Sequence, residues 1–181
     1  MPDAGAPGAA LHIAPLALAD LPAYKALRDR MLARHPQAFT SDAAAEAIKP
    51  ASVYSGRLGY ERPEGGQFTL GARRGGRLVG AISCERDPRL KVRHVAQVVG
   101  MMVRDEAQGH GIGRALLDAC IERARGADGL EMLTLSVTAG NEPALRLYRG
   151  AGFERYGTLQ RAVKVGGGYH DKHLMVLYLR A

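Results

Sequence analysis

At 181 residues the chain suits one domain, able to bury about 70% of its unfolded surface and to fold without a disulfide or a metal. Its net charge of +7 raises nucleic-acid binding as a candidate, but the cations are scattered, as at Arg73, Arg74 and Arg77 and at Arg114, Arg123 and Arg125, with few aromatics between them for base stacking. No apolar run reaches membrane-spanning length and the first decapeptide, MPDAGAPGAA, lacks the marks of a signal peptide, so neither nucleic acid nor a membrane is expected as a partner and the cytoplasm is the expected location.

Residues 1–10, rich in Ala, Gly and Pro, read as a disordered tail ahead of a single domain over 11–181. Leu11 to Leu16 alternate as a short strand. Asp20 is placed to cap a helix with Pro22 in its first turn and Leu21, Ala26, Leu27, Met31 and Leu32 as apolar positions, ended by His35 and Pro36. Ser41 is placed to cap a second helical stretch through about Ile48. Gln67 to Arg74 and Arg77 to Glu85 flank Gly75 and Gly76, a hairpin signal, and the run from Lys91 to Val103 reads as the next strand. Cys84 in a predicted strand and Cys120 in a predicted helix read as reduced core residues. Leu133, Leu135 and Val137 alternate as a strand. Asn141 then caps a short helix in which Pro143 fits the first turn and Ala144, Leu147 and Tyr148 share one face. Gly150 and Gly152 stop it, and Phe153 to Gly157 and Tyr169 to Leu179 bracket a connection containing Gly166, Gly167 and Gly168.

Between Met101 and Arg125 an apolar strand, a charged turn and a glycine loop lead directly into an amphipathic helix. The loop is Gln108, Gly109, His110, Gly111, Ile112, Gly113 and Arg114. Its glycines permit close backbone approach, and the helix that follows offers unpaired N–H groups and a positive dipole end, which together make a phosphate site. It is not a dinucleotide fingerprint, because Arg114 stands where the last glycine would fall, and no Gly-Lys-Ser/Thr follows as a Walker loop requires. An ordinary strand-to-helix turn using glycine for conformational freedom is the alternative.

The first motif, Gln-x-x-Gly-x-Gly at Gln108, Gly111 and Gly113, precedes by about thirty residues a second, Asn-x-x-Ala-x-x-Leu-Tyr-x-x-x-Gly-Phe, at Asn141, Ala144, Leu147, Tyr148, Gly152 and Phe153. This pair resembles the GNAT superfamily of N-acetyltransferases, over nearly the whole chain from about Leu11. The resemblance implies an α/β (α+β) GNAT fold, with a mixed, mostly antiparallel central sheet of roughly six to seven strands and about four flanking helices. It implies acetyl transfer from acetyl-CoA directly to a primary amine of a small molecule or peptide, without an acyl-enzyme and without a metal. Main-chain N–H groups of Gly109, His110, Gly111, Ile112, Gly113 and Arg114, in the loop that Gln108 opens, would hold the pyrophosphate. Met101, Met102 and Val103 would pair with the pantetheine arm, which Asn141 would also touch. Tyr148 would protonate the departing thiolate, against the plainer reading of a core tyrosine.

An alkyl ammonium, with a pKa of about 10.4, must lose a proton before it attacks. The family's histone-acetylating branch carries a glutamate eleven residues before the loop glutamine; here that position is Gln97, which accepts no proton at neutral pH. His94 and Glu85 are the candidate substitutes, acting through water. An acetyl-CoA-binding regulatory module is therefore the alternative function. His170 and His173 point to opposite strand faces and make no chelating pair. The resemblance places the acceptor site between about His35 and Gly66 and at the final hairpin. Asp42, Glu46, Tyr54, Tyr60, Glu61 and Glu64 there suggest a cationic amine such as a polyamine, an aminoglycoside or a lysine, against the plainer reading that loops are polar. The exposed edge of the final hairpin suits a homodimer.

Overall fold

A computed structural model describes residues 10–60 and 64–179, so Glu61 and nearly all of the expected tail lie outside the described residues. The strands are β1 (Leu11–Pro15), β2 (Phe68–Arg74), β3 (Arg77–Arg86), β4 (Val95–Val103), β5 (Met132–Thr138), β6 (Glu154–Val165) and β7 (Gly168–Tyr178). The α-helices are α1 (Leu21–Arg34), α2 (Ala43–Ala47), α3 (Ile112–Arg125) and α4 (Glu142–Gly150). All seven strands form one sheet in the order β1-β2-β3-β4-β5-β7-β6. Every neighbouring pair is antiparallel except β4 and β5. That pair is parallel because α3 returns the chain to the same end of the sheet before β5 begins.

Apolar side chains gather in two clusters. The larger joins Ile112, Leu116, Leu117 and Cys120 of α3 and Leu145 and Tyr148 of α4 to Leu70, Ile82, Cys84, Val98, Leu133 and Leu135 of the strands. The smaller joins Leu21, Tyr24, Leu27 and Met31 of α1 to Leu78, Ala81 and Met102. Cys84 and Cys120 are both buried and both free. Among the described residues no helix is long and apolar enough to cross a membrane.

Several elements differ from the sequence expectation for identifiable reasons. Asp20 does not cap α1; it closes a 3₁₀ turn over Leu18–Asp20, accepting from the Ala17 N–H at 2.7 Å, and its other oxygen pairs with Arg73. Asp42, not Ser41, caps α2, accepting from the Ala45 N–H at 2.8 Å, while the Ser41 hydroxyl accepts from Arg28 at 2.8 Å. Within α1 Ala26 is exposed and the inward face runs through Leu21, Tyr24, Arg28 and Met31. β4 begins at Val95 after a turn over the first residues of the predicted strand. β6 runs on to Val165, through residues read as a connection, and meets β7 across a turn at Gly166 and Gly167. It sits at the sheet edge with little burial on either face, so no alternation marks it.

Behind α1, Glu46 is buried and bonded to Lys49 at 2.6 Å and to the Tyr54 hydroxyl, with Arg28 Nε 3.5 Å away. The Lys49 and Tyr54 hydrogen bonds, with a smaller contribution from Arg28, hold the Glu46 pKa down to about 2. The folded value lies below the ordinary 4.5, so this contribution is complete above pH 4.5 and is lost as pH falls toward 2. The stability gap between the native chain and Glu46→Gln, about 1–3 kcal/mol near neutrality by urea denaturation, is expected to close over that window; a gap independent of pH counts against the assignment.

Candidate active site

β4 and β5 pair through three positions only, Val95 with Met132, Ala96 with Leu133 and Gln97 with Thr134. Beyond them β5 pairs with β7 alone and β4 with β3 alone, which opens a split between the two parallel strands. On the β3 side the register jumps between Ala81 and Ser83, whose partners are Met102 and Val99, so one extra residue is accommodated in β4. Gly100, at φ +59°, occupies this bulge. An added Cβ there would lie 3.4 Å from Arg57 and 3.5 Å from the Tyr24 hydroxyl, ordinary contact distances, so glycine is needed for the backbone conformation and not for space.

A cavity of about 290 Å³ opens at the split, lined by Gln97 to Met101 of β4, Ser136 of β5, Tyr148 of α4, Lys172 of β7, Arg28 of α1, Arg57, and the 38–41 segment. Tyr148 is 8% exposed, packs edge-on against Phe153, and its hydroxyl has no hydrogen-bond partner among the described residues. Burial, with a lesser effect of Cys120, pushes its pKa up to about 12. The proton is therefore held throughout the neutral range. α4 aims the ring by its start: Asn141 accepts from the Ala144 N–H at 3.3 Å and fixes the helix entry.

The candidate bases sit apart from this cavity. His94 lies in the turn before β4, where its carbonyl accepts from Glu131 at 2.8 Å and Met132 at 3.1 Å, and it lines none of the cavity. Glu85 pairs across strands with Gln97 and binds Arg57 at 2.8 Å, so it touches two lining residues without lining the cavity itself. Among the described residues no carboxylate or imidazole lines the cavity. Two of the acidic residues expected at an acceptor site make contacts within the fold: Asp42 caps α2, and Glu46 is bonded to Lys49 and Tyr54.

The segment after α1 crosses the split. Thr138 donates to the Gln37 carbonyl at 2.6 Å, Lys172 to Thr40 at 2.7 Å and Arg28 to Ser41 at 2.8 Å. On its other side is a cavity of about 560 Å³, lined by Arg34 to Ala38 and by Thr138 to Asn141. These straps were not legible in the sequence, since two of them join residues 101 and 132 positions apart and the third ends in a loop without pattern. The bulge left one signal, a glycine inside a strand run.

At the glycine loop the structure separates side chains from main chain. Gly109 and Gly111 have φ +77° and +74°, and an added Cβ at either would meet nothing within 4 Å, so the main chain lies open there. Ile112 is 1% exposed and its side chain belongs to the core. Gln108 donates to the Val103 carbonyl at 3.0 Å and to Asp105 at 3.3 Å, tying the loop to the end of β4. His110 is exposed and bonds the Gln108 carbonyl at 2.8 Å. Arg114 binds both Asp118 oxygens at 2.8 Å and the Gly150 carbonyl at 3.1 Å, joining α3 to the end of α4. Met101 and Val103 pack toward α3 while Met102 is buried toward α1. Asp105, a residue the motif reading passed over, accepts from or pairs with His35 at 2.6 Å and Arg34, which hold its carboxyl below the usual range, the His35 bond most. His170 and His173 join no group of three metal-ligating side chains, and none exists among the described residues.

A split parallel pair, a strand bulge at its mouth and a glycine loop opening the crossover helix together form the candidate site. The acetyltransferase (GNAT) family matches residues 26–153, and the chain belongs to that family. It is 38% identical over 99 residues to the N-alpha-acetyltransferase RimI of Mycobacterium tuberculosis, covering 54% of this chain and 59% of that protein. It is 39% identical over 77 residues to an L-methionine sulfoximine/L-methionine sulfone acetyltransferase of Pseudomonas paraeruginosa, covering 42% and 44%. The chain thus spans about half the length of these curated relatives. The fold matches the Salmonella typhimurium protein yncA, solved with its cofactor acetyl-CoA, at a TM-score of 0.78 and 22% identity over 95% of each chain.

The open main chain over Gly109 and Gly111 and the unpaired edge of β4 fit such a coenzyme. Gly111→Ala tests the loop: the strained positive φ should cost about 1–2 kcal/mol of stability, while acetyl-CoA affinity by calorimetry should fall by at least about tenfold as the amides turn away. Unchanged affinity would remove the loop from coenzyme binding.

Proposed function

We propose that the protein is an acetyl-CoA-dependent N-acetyltransferase in which Tyr148 is the general acid. The observation that carries this reading is a buried tyrosine, its hydroxyl without a protein partner, on the wall of the cavity where β4 and β5 part. Acetyl-CoA supplies the acetyl group. Main-chain N–H groups from Gly109 to Arg114 cradle its pyrophosphate, and the free edge of β4 at Met101 to Val103 offers the arm a strand to pair with, with Asn141 beside it. N–H groups at the bulge are donors for the thioester carbonyl, where negative charge develops during attack. The Tyr148 hydroxyl, still protonated at neutral pH, gives its proton to the thiolate as it leaves, and the second proton that the attacking nitrogen sheds as the amide forms restores the tyrosine.

The ammonium proton of the acceptor leaves through water. Gln97 cannot take it, and of the two candidate bases Glu85 is the one that touches lining residues, Gln97 and Arg57. The relatives named above are an N-alpha-acetyltransferase and an L-methionine sulfoximine/L-methionine sulfone acetyltransferase, which supports an α-amine on a small molecule or a peptide. The absence of a carboxylate or imidazole from the cavity lining among the described residues favours one second reading, a coenzyme-binding regulatory module.

Calorimetric titration with acetyl-CoA together with thiol release over a panel of amines distinguishes them: binding with turnover supports the enzyme, and binding without turnover of any amine supports the module. Tyr148→Phe should lower kcat by about 10²-fold or more while leaving acetyl-CoA affinity within about twofold. Unaltered kcat would take Tyr148 out of the mechanism.

A further inference from the structure

The charge of the Tyr148 cavity bears on the acceptor, and this step rests on the transferase reading. Arg28, Arg57 and Lys172 line the cavity, and no Asp or Glu among the described residues does. The two arginines are balanced from behind, Arg28 by Glu46 at 3.5 Å and Arg57 by Glu85 at 2.8 Å. Lys172 is not. It is 8% exposed, its ammonium donates to Thr40 Oγ1 at 2.7 Å, and no carboxylate among the described residues pairs with it. An ammonium has three donors, so two remain for whatever enters.

A buried cation without a counter-charge is unfavourable until an anion joins it. Burial accordingly pushes the Lys172 pKa down. The candidate phosphate cradle follows β4, on one side of the split, whereas Lys172 stands on β7, which pairs with β5 on the other. The anion is thus assigned to the acceptor. We propose that Lys172 binds an anionic group carried beside the acceptor's amine, so that the substrate class is amines bearing a carboxylate or a comparable anion, as in an α-amino acid, and excludes polyamines and aminoglycosides. Such an acceptor supplies the missing counter-charge, while a polycation would bring further positive charge against Lys172.

The test uses the whole chain with L-α-amino acids, the matching amides and spermidine. Thiol release should favour acids over amides by roughly 10- to 100-fold in kcat/KM, the worth of one charged hydrogen bond. In Lys172→Gln and Lys172→Met that ratio should fall toward one. Calorimetry without coenzyme provides a second readout: N-acetyl-amino acids should bind the native chain more tightly than N-acetyl-amino-acid amides, and the variants should lose the difference. Should both lysine variants fail to fold, Thr40→Val, which removes the hydroxyl steering the ammonium, should narrow the same ratios. Amides or spermidine serving as well as acids, ratios untouched by the substitutions, or no acid accepted while acetyl-CoA still binds would each overturn the proposal. Loss of acetyl-CoA binding by the lysine variants would move Lys172 to the coenzyme. A native chain that binds no acetyl-CoA would overturn the transferase reading itself.

Discussion

β4 and β5 share a ladder only as far as Gln97 and Thr134, and the consequences of that early parting run through the molecule. A strand edge left dry would strand donors and acceptors at about 1–3 kcal/mol each. The split is therefore sustainable only if water or a ligand enters it. The two strands are held apart by what packs on them: α3 and α4 share the larger apolar cluster on one face, and α1 fills the smaller one beside Met102. Gly113 lies where these layers meet: a Cβ there would touch Met101 at 3.4 Å and Leu147 at 3.6 Å, ordinary contact distances. The opening is thus a property of the packing, and the bulge at Gly100 turns the β4 main chain at its mouth.

The end of α1 links both halves of the site. Arg34 and His35 reach Asp105 at the root of the glycine loop, and Arg30 binds Glu106 at 2.9 Å. The chain that follows crosses the split and is tied to β5 at Thr138 and to β7 at Lys172. Single exposed pairs of this kind contribute little to stability. Their collective effect is geometric, because the loop root, the crossing segment and the far strands all take their positions from one helix end.

Much of the fold was legible because its signals are local. The hairpin at Gly75 and Gly76, the cap at Asn141 and the loop before α3 each follow from a few adjacent residues, and the paired motifs point to the family that the match over 26–153 shows. The reading failed where local pattern and tertiary role conflict. α1 turns Arg28 inward, where an amphipathic reading expects an apolar residue, because that guanidinium lies over the Tyr54 ring and lines the cavity. β6 shows no alternation because the sheet edge buries neither face. The acidic residues near α2 suggested a cationic acceptor by composition, yet Asp42 and Glu46 turn to capping and to Lys49, Tyr54 and Arg28. Lys172, in a strand marked only by its histidines, was invisible until the fold set it against Thr40.

That charge distribution bears on the unsolved half of the proposed chemistry, the removal of a proton without a base in the cavity. Positive charge nearby disfavours the protonated form of an amine, as does burial. Arg28, Arg57 and Lys172 act in this sense on an ammonium brought to the split, although Glu46 and Glu85 offset the two arginines. An anion on the acceptor would cancel Lys172 for the substrate as a whole while the amine itself stayed in a cavity wall free of carboxylates. The proton would then leave to water before attack, and Gln97 need only be polar, holding water or the amine by hydrogen bonds. The step that remains is the departure of the thiolate, and the phenol on the wall that still carries its proton at neutral pH, its pKa pushed up to about 12 by burial, is Tyr148.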